Sequence, residues 1–161
     1  MTKPYIISEN EILMEQYKIY VEMADRVSAR RSQTNKFYIA LLTALLAILS
    51  TITEKNFFSE HQLQIYFLLS FIGISLNYVW YKNLKSYRQL NRAKYKIVQE
   101  IEQQLPFHCY EKEWELLGKG EDSEKYNPFT KIEANVPIIL VIPYAYFFIY
   151  GLFKMMLNVK F

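Results

Sequence analysis

The chain has 161 residues, a formal net charge of +3 at pH 7, 17% aromatic residues and four glycines. This composition excludes a disordered chain and a flexible linker protein, because both are poor in aromatic residues. The single cysteine, Cys109, excludes an internal disulfide framework and a metal site built from several cysteines. The mean hydropathy of −0.05 is an average over apolar blocks and very polar blocks, so the order of those blocks is more informative than their sum.

The first predicted element is a helix that begins at Glu9. Its apolar residues recur at intervals of four and three, which places them on one helical face. These residues are Leu13, Tyr17, Tyr20, Ala24 and Val27. No glycine or proline separates this helix from Phe37, so we expect it to continue unbroken into the next segment.

The next segment, residues 37–53, contains no charged side chain. As a helix it extends about 25 Å, close to the short end of a bilayer's hydrocarbon core. A soluble helix of this length normally carries charges on its outer face, so we predict the first membrane span here. Small residues recur along one side of it, and in lipid such residues let helix backbones approach closely.

A second uncharged segment, residues 63–81, ends in aromatic residues typical of a membrane interface. Ser70, Gly73 and Asn77 share one face of this span, and we expect that face to meet the small residues of the first span. No helix breaker follows until Pro106. The two long helices are therefore expected to pair antiparallel, each with one half in the membrane and one half in water.

The region between the second and third spans is predicted to hold a turn, a short helix that stops at Gly118, and a loop. Residues 130–133, Thr-Lys-Ile-Glu, match a capping box, which indicates that another helical segment starts at Thr130. The residue before a proline is biased away from the helical region. We therefore expect a break just before Pro137.

The third predicted span covers residues 136–153, with a kink at Pro143. The predicted fold class is all-α: an integral membrane protein with three transmembrane helices. The first two extend into a cytosolic antiparallel hairpin, and a small helical segment precedes the third. The whole chain, residues 1–161, is predicted to form a single membrane domain.

Basic residues predict the orientation, because they accumulate on the cytoplasmic side of a membrane. They cluster before the first span and after the second, whereas the intervening turn has only Lys55. This bias assigns residues 1–36 and 82–135 to the cytoplasm and the C-terminus to the outside.

The sequence offers no constellation of residues that would support catalysis. His61 and His108 fall in segments assigned to opposite sides of the membrane, and the adjacency of His108 and Cys109 is not a ligand spacing. The predicted spans contain no ionisable residue, which disfavours pumps and proton-coupled transporters. We therefore expect neither an enzyme nor a bound metal or cofactor.

Small and polar residues within the spans have two interpretations. They pack helices together, or several copies gather them around an axis as a pore lining whose apolar constrictions gate by dewetting. The candidate residues are Ala40, Thr43, Ala44, Ala47, Ser50, Thr51, Ser70, Gly73 and Asn77.

Basic residues interleaved with tyrosines next to the spans also have two interpretations. They set the topology and attract anionic lipid, or they form a site for an anionic ligand, such as a nucleotide or oligonucleotide, stacked on aromatic rings. The candidate ligand-binding residues are Arg30, Arg31, Lys36, Lys85, Tyr87, Arg88, Arg92, Lys94, Tyr95 and Lys96.

Several motifs give the chain a resemblance to a known family. They are Tyr20-Val-Glu-Met-Ala-Asp25, Ser28-Ala-Arg30-Arg31, Asn35-Lys-Phe37, Asn91-Arg-Ala-Lys94-Tyr95-Lys96, Trp114-Glu-Leu-Leu-Gly118, Tyr126-Asn-Pro128-Phe-Thr130, and Ile132-Glu133 leading to Pro137. On these residues the chain resembles the RipA family of small octameric bacterial membrane proteins. More loosely, it is similar to the SLATT-type membrane effectors of antiphage defence. The first resemblance implies an octamer in the inner membrane, and the second implies activation that permeabilises the membrane.

These observations favour an oligomeric membrane effector that forms a gated channel or permeabilises the membrane in antiphage defence. Its expected partners are the lipid bilayer, further copies of itself, and a nucleotide or oligonucleotide ligand made by a partner nucleotidyltransferase. The alternative is a non-conducting membrane scaffold or regulator that recruits a soluble partner.

Overall fold

The computed structural model describes residues 8–55, 61–122, 124–126 and 129–158. Four α-helices run in the order α1 (Glu9–Lys55), α2 (Gln62–Glu102), α3 (Cys109–Leu116) and α4 (Phe129–Asn158), with a 3₁₀ turn at Gly118–Gly120. Those residues include no strand, and the predicted all-α class is confirmed. Most of the predicted turn between the first two spans, residues 56–60, lies outside the described residues.

Three segments are long and apolar enough to cross a membrane, which confirms three candidate spans. They are Glu9–Ile52, Gln62–Glu102 and Ile132–Leu157. The start of α1 is fixed by a capping box that the sequence analysis overlooked. The Ser8 amide donates to Glu11 Oε2 over 2.8 Å, and the Glu11 amide donates to Ser8 Oγ over 3.2 Å.

The expected break before Pro137 is wrong, because α4 is one helix through both Pro137 and Pro143. Proline removes one backbone donor from the helical ladder. A break would leave several donors and acceptors unpaired, and in an apolar environment each such group costs several kcal/mol. A continuous helix therefore has a lower free energy than a broken one. The helix begins at Phe129, one residue ahead of the predicted start, which is within the ordinary spread of helix boundaries.

The described residues fall into two compact units. The polar unit contains the described residues up to Arg31, and Ser86–Phe129; the apolar unit contains Ser32–Lys85 and the described residues from Thr130 onward. Both α1 and α2 contribute to each unit. The predicted organisation as a single membrane domain stays a prediction.

The apolar unit is built around side chains from α1, α2 and α4. Its buried cluster is Tyr38, Leu42, Leu49, Ile52, Tyr66, Trp80, Leu84 and Tyr144. The rings of Tyr38 and Trp80 are stacked, with centroids 5.7 Å apart and an interplanar angle of 7°. Trp80 Nε1 donates to Asn35 Oδ1 over 2.9 Å, so the one polar atom of the indole is satisfied.

A glycine on α2 allows α4 to pack close. A Cβ atom built on Gly73 would lie 2.2 Å from Cδ1 of Tyr144, closer than atoms can approach. Tyr144 is fully buried, and its hydroxyl donates to the backbone carbonyl of Leu42 on α1. One tyrosine therefore links all three helices of the apolar unit, and only glycine at position 73 leaves room for its ring.

The polar unit pairs α1 and α2 antiparallel. Asn91 Nδ2 donates to Ser28 Oγ over 3.0 Å, and the Tyr17 hydroxyl donates to Glu102 Oε1 over 2.8 Å. All five predicted apolar-stripe residues of α1 in this region are half-buried or buried, Ala24 among them at 1% exposure. Beyond α3, Gly118 and Gly120 adopt positive φ of 66° and 72°, in accord with the predicted helix stop at Gly118.

Candidate assembly face and anion-binding residues

The nine candidate pore-lining or packing residues divide into two groups. Ser70, Gly73 and Asn77 on α2 are buried inside the apolar unit. Asn77 Nδ2 donates to the Gly73 carbonyl over 2.9 Å, and the space over Gly73 is taken by Tyr144. This α2 face therefore packs within the chain, against α4.

The six residues on α1 are exposed in the single chain. They are Ala40, Thr43, Ala44, Ala47, Ser50 and Thr51. The expectation that this small face meets the Ser70–Asn77 face of the same chain is wrong. The buried face of α1 is the stripe on the opposite side of the helix, which includes Tyr38, Leu42 and Leu49. Burial of that stripe turns the small residues outward.

The hydroxyls on this face bond to their own helix. Thr43 Oγ1 donates to the Ile39 carbonyl over 2.5 Å, Ser50 Oγ to the Leu46 carbonyl over 3.1 Å, and Thr51 Oγ1 to the Ala47 carbonyl over 2.9 Å. Each hydroxyl proton is used within the helix, whereas the oxygen keeps acceptor capacity. The face is therefore compatible with a close helix neighbour and also with water or a cation.

The outer faces of the other two spans carry large apolar side chains, and on α1 itself Phe37 and Ile48, 60% and 51% exposed, lie beside the small residues. On α2, Leu68 and Phe71 are 58% and 55% exposed; on α4, Ile142 and Ile149 are 62% and 64% exposed. Large apolar side chains suit contact with lipid, whereas small residues concentrate where helices touch. We call the six small and hydroxyl residues of α1 the assembly face, because they differ in this way from the outer faces of α2 and α4.

The candidate ligand-binding residues lie in both units. Lys36 and Lys85 belong to the apolar unit, and the other eight belong to the polar unit. Arg30, Lys36, Lys85, Arg92 and Lys96 are exposed, and Arg31, Tyr87, Arg88, Lys94 and Tyr95 are half-buried. Within the polar unit, Arg88, Arg92 and Lys96 follow one another at intervals of four on α2, which places them along one helical face.

Two members of the candidate set are already engaged within the chain. Lys94 Nζ lies 5.5 Å from the ring centroid of Tyr20, at cation–π distance. The ring of Tyr95 lies 5.6 Å from that of Tyr110. Burial, together with the negative charge of Asp25 and Glu113, raises the pKa of Tyr95. Tyr95 therefore contributes to the packing of the polar unit.

Sequence reasoning missed Glu102, which is fully buried at the end of α2. Its carboxylate accepts bonds from the Tyr17 hydroxyl at 2.8 Å, the Tyr110 amide at 3.0 Å and the Glu111 amide at 3.3 Å. The two amides belong to the first turn of α3, where a negative charge is favoured. Glu102 thus caps α3 from a distance and joins three helices.

The bond to Glu102 also affects Tyr17. Burial raises the pKa of Tyr17 well above the ordinary value for tyrosine, and the carboxylate of Glu102, which accepts its proton, raises that pKa further. No local signal in the sequence could have revealed this contact, because the two residues are 85 positions apart. Among the described residues, no group of three side chains could hold a metal ion.

A match to the octameric membrane protein family (8xMP) covers residues 14–153. Neither a curated protein nor a solved structure matches the chain. The match confirms the resemblance to RipA-type octameric membrane proteins, whereas the similarity to SLATT-type effectors stays a prediction. The family's description supports self-assembly in a membrane, in agreement with three apolar helices. This chain is a multi-pass, oligomeric membrane protein of the octameric membrane protein family.

Proposed function

We propose that copies of this chain surround an axis with their assembly faces turned toward it, and that the assembly is a conditional channel. One observation supports this proposal above all. The six small and hydroxyl residues of α1 are exposed, although the outer surfaces of α2 and α4 carry large apolar side chains. A wall of hydroxyl oxygens and alanines tolerates water and ions, whereas a wall of isoleucine and phenylalanine does not.

Gating follows from the composition of the same face. Hydroxyl oxygens at Thr43, Ser50 and Thr51 flank the apolar Ala44 and Ala47. A narrow apolar ring expels water and blocks ions, and a small widening lets water return. Slight displacement of α1 about the axis would therefore switch conduction without any charged side chain in residues 37–53.

Regulation by an anionic ligand extends the proposal to the polar unit. Arg88 and Arg92 are one helical turn apart, and Arg92 is exposed. Such a pair suits phosphate groups, which arginine binds in a fixed bidentate geometry. A nucleotide or oligonucleotide made by a partner nucleotidyltransferase is the proposed ligand, and permeabilisation of infected bacteria is the proposed outcome.

Thiol chemistry tests the channel directly. In a Cys109→Ser background, Thr43→Cys and Ala47→Cys place a thiol on the assembly face, and Ile142→Cys and Ile149→Cys place one on the exposed face of α4. A charged, water-soluble thiol reagent should react with the first pair and reduce ion flux through reconstituted liposomes. The second pair should stay unmodified. Equal reactivity of the two pairs, or no flux with and without nucleotides, would contradict the proposal.

The native cysteine tests the proposed orientation, with the N-terminus and residues 82–135 in the cytoplasm of the bacterium. Cys109 is exposed on α3, so an impermeant thiol reagent should label it only after spheroplasts are opened. The matched variant is His61→Cys in the Cys109→Ser background, because His61 is exposed in the turn assigned to the outside. That variant should react on intact spheroplasts. Reversal of the two labelling patterns would reverse the orientation.

A non-conducting scaffold is the second candidate, and one observation favours it. Phe107 and Leu116 in the polar unit are 66% and 72% exposed, which is unusual for large apolar side chains facing water. Such a surface suits a soluble partner protein. A stoichiometric partner captured in detergent, lost on Leu116→Ser, together with absence of ion flux, would support the scaffold over the channel.

A further inference from the structure

The polar unit carries a second exposed apolar face on α1. Ile12, Ile19 and Met23 are 47%, 46% and 41% exposed. With Gln16 between them, they recur at intervals of four, three and four, which is the spacing of a seam between two helices. The stripe of α1 that packs in the polar unit and includes Tyr17, Ala24 and Val27 is a different one, so among the described residues this face stays largely exposed.

Acidic residues flank this apolar face. Glu9, Glu11, Glu15, Glu22 and Asp25 are all exposed, against one lysine in the same stretch. Two of them make ion pairs within α1: Glu15 with Lys18 at 3.9 Å, and Glu22 with Arg26 at 2.7 Å. These pairs are well exposed and leave acceptor capacity on the carboxylates, since each carboxylate accepts several donors.

The exposed side of α2 in the same unit is basic. Arg92 and Lys96 are exposed, one helical turn apart, next to the half-buried Arg88. The stretch Glu9–Asp25 of α1 and the stretch Arg88–Lys96 of α2 therefore present opposite charge on their outer surfaces. Surfaces of opposite charge fix the choice and the register of partners more than they add affinity.

The contacts inside one chain fix the level of each residue along the helix pair. Tyr17 bonds to Glu102, and Ser28 bonds to Asn91, in antiparallel register. Glu22 lies five residues beyond Tyr17, so it is level with position 97 of α2, beside Lys96. In an assembly whose axis runs along these helices, rotation leaves this level unchanged, so Glu22 of one copy and Lys96 of the next would also lie level.

Closure of the assembly into a ring determines which surfaces of the chain meet. In a cyclic assembly each contact joins two different surfaces, one from each side of the chain. The acidic, apolar face of α1 and the basic face of α2 are two such surfaces, and they are complementary. We infer that, in the assembled protein, Ile19, Glu22 and Met23 of one copy dock against Lys96 of the adjacent copy, with the aliphatic stem of the lysine covering the apolar side chains.

This inference rests on the family's assembly in the membrane and is independent of conduction. It assigns Lys96 to contact between copies, whereas Arg88 and Arg92 stay in the proposed ligand site. A failure of the channel proposal would therefore leave it standing, and its own failure would leave the channel proposal standing.

The test uses charge reversal in two differently tagged full-length chains, purified in a mild detergent at low ionic strength. Glu22→Lys alone and Lys96→Glu alone each place like charges at every contact. Both should therefore shift the assembly to smaller species in native mass spectrometry, where one chain weighs 19.3 kDa. Added salt should reverse part of the shift, because it screens the repulsion.

Co-expression of the two variants distinguishes contact between copies from contact within one chain. If the variants alternate around the ring, every contact between copies again joins opposite charges, and the full-size assembly should return with both tags. Within each variant chain the like charges remain, so an effect inside the chain would not be rescued. Matched controls are Lys112→Glu and Glu113→Lys, both exposed on α3, which should leave the assembly at full size.

Two results would overturn the inference. One is a full-size assembly for both single variants at low salt. The other is a loss of assembly that co-expression does not restore, or that the α3 controls reproduce.

Discussion

Substitution of Gly73 by alanine should destabilise the apolar unit, because the added methyl group clashes with Tyr144. In Gly73→Ala, the added methyl carbon would lie 2.2 Å from Cδ1 and 2.3 Å from Cε1 of Tyr144, whereas carbon atoms in contact normally stay about 3.5–4.0 Å apart. The ring must therefore move by more than about 1 Å. That movement breaks the hydrogen bond from the Tyr144 hydroxyl to the Leu42 carbonyl.

The expected cost combines three effects. Overpacking a core costs about 1–3 kcal/mol, and the lost hydrogen bond costs about 1 kcal/mol. Alanine is the better helix former by about 1 kcal/mol, which offsets part of this cost. The free energy of unfolding should therefore fall by about 1–3 kcal/mol, measured by denaturant titration in mixed micelles.

Gly151→Ala is the matched control, because Gly151 is also a buried glycine in an apolar helix. The nearest heavy atoms to a Cβ there lie 3.8 Å away, which is ordinary contact. That variant should be neutral or slightly stabilised. In Gly73→Ala with Tyr144→Leu, the smaller side chain makes room, so the two changes should couple favourably. Equal stability of Gly73→Ala and Gly151→Ala would refute the packing described here.

Three further predictions follow from the polar unit and the assembly face. Glu102→Ala should speed amide exchange at Tyr110 and Glu111 and lower the free energy of unfolding by about 2–4 kcal/mol, because three donors lose their acceptor. Unchanged amide exchange would contradict the capping of α3 by Glu102. The pKa of Tyr17 is raised in the folded chain, so its contribution to stability is complete below about pH 10 and is lost as the pH rises above that value. In Tyr17→Phe the melting temperature should therefore fall less steeply with rising pH. Ala47→Leu should reduce ion flux through reconstituted liposomes, because it adds apolar bulk to the ring proposed to gate by dewetting, and an unchanged flux would exclude Ala47 from that ring.

The helices were predictable because uninterrupted apolar spacing and the absence of helix breakers are local properties. The buried face of α1 was not. The buried stripe with Tyr38 and Leu42 and the exposed stripe with Ala40 and Ala44 are displaced by two residues, roughly 200° around the helix. In a membrane both stripes are apolar enough to face lipid or protein, so hydropathy does not choose between them. Packing against α2 and α4 decides the choice, and that information is not local.

The buried acid and the uninterrupted fourth helix were missed for related reasons. In the sequence, Glu102 looks like an ordinary surface residue. In the structure, α3 places two backbone amides against its carboxylate. At Pro137 the conformational bias of the residue before a proline favours a break in the helix. That bias does not include the free-energy cost of unpaired backbone groups in an apolar environment. In each case a distant partner or the surrounding medium outweighs the local preference.

The central claim is that α1 turns its small and hydroxyl residues away from its own chain and toward other copies in the membrane. Cross-linking in native membranes tests it most directly, with Ala47→Cys compared with Ile149→Cys in the Cys109→Ser background and a short bifunctional thiol reagent. We expect a ladder of covalent multimers for position 47 and single chains for position 149. A ladder for position 149 with single chains for position 47 would contradict it.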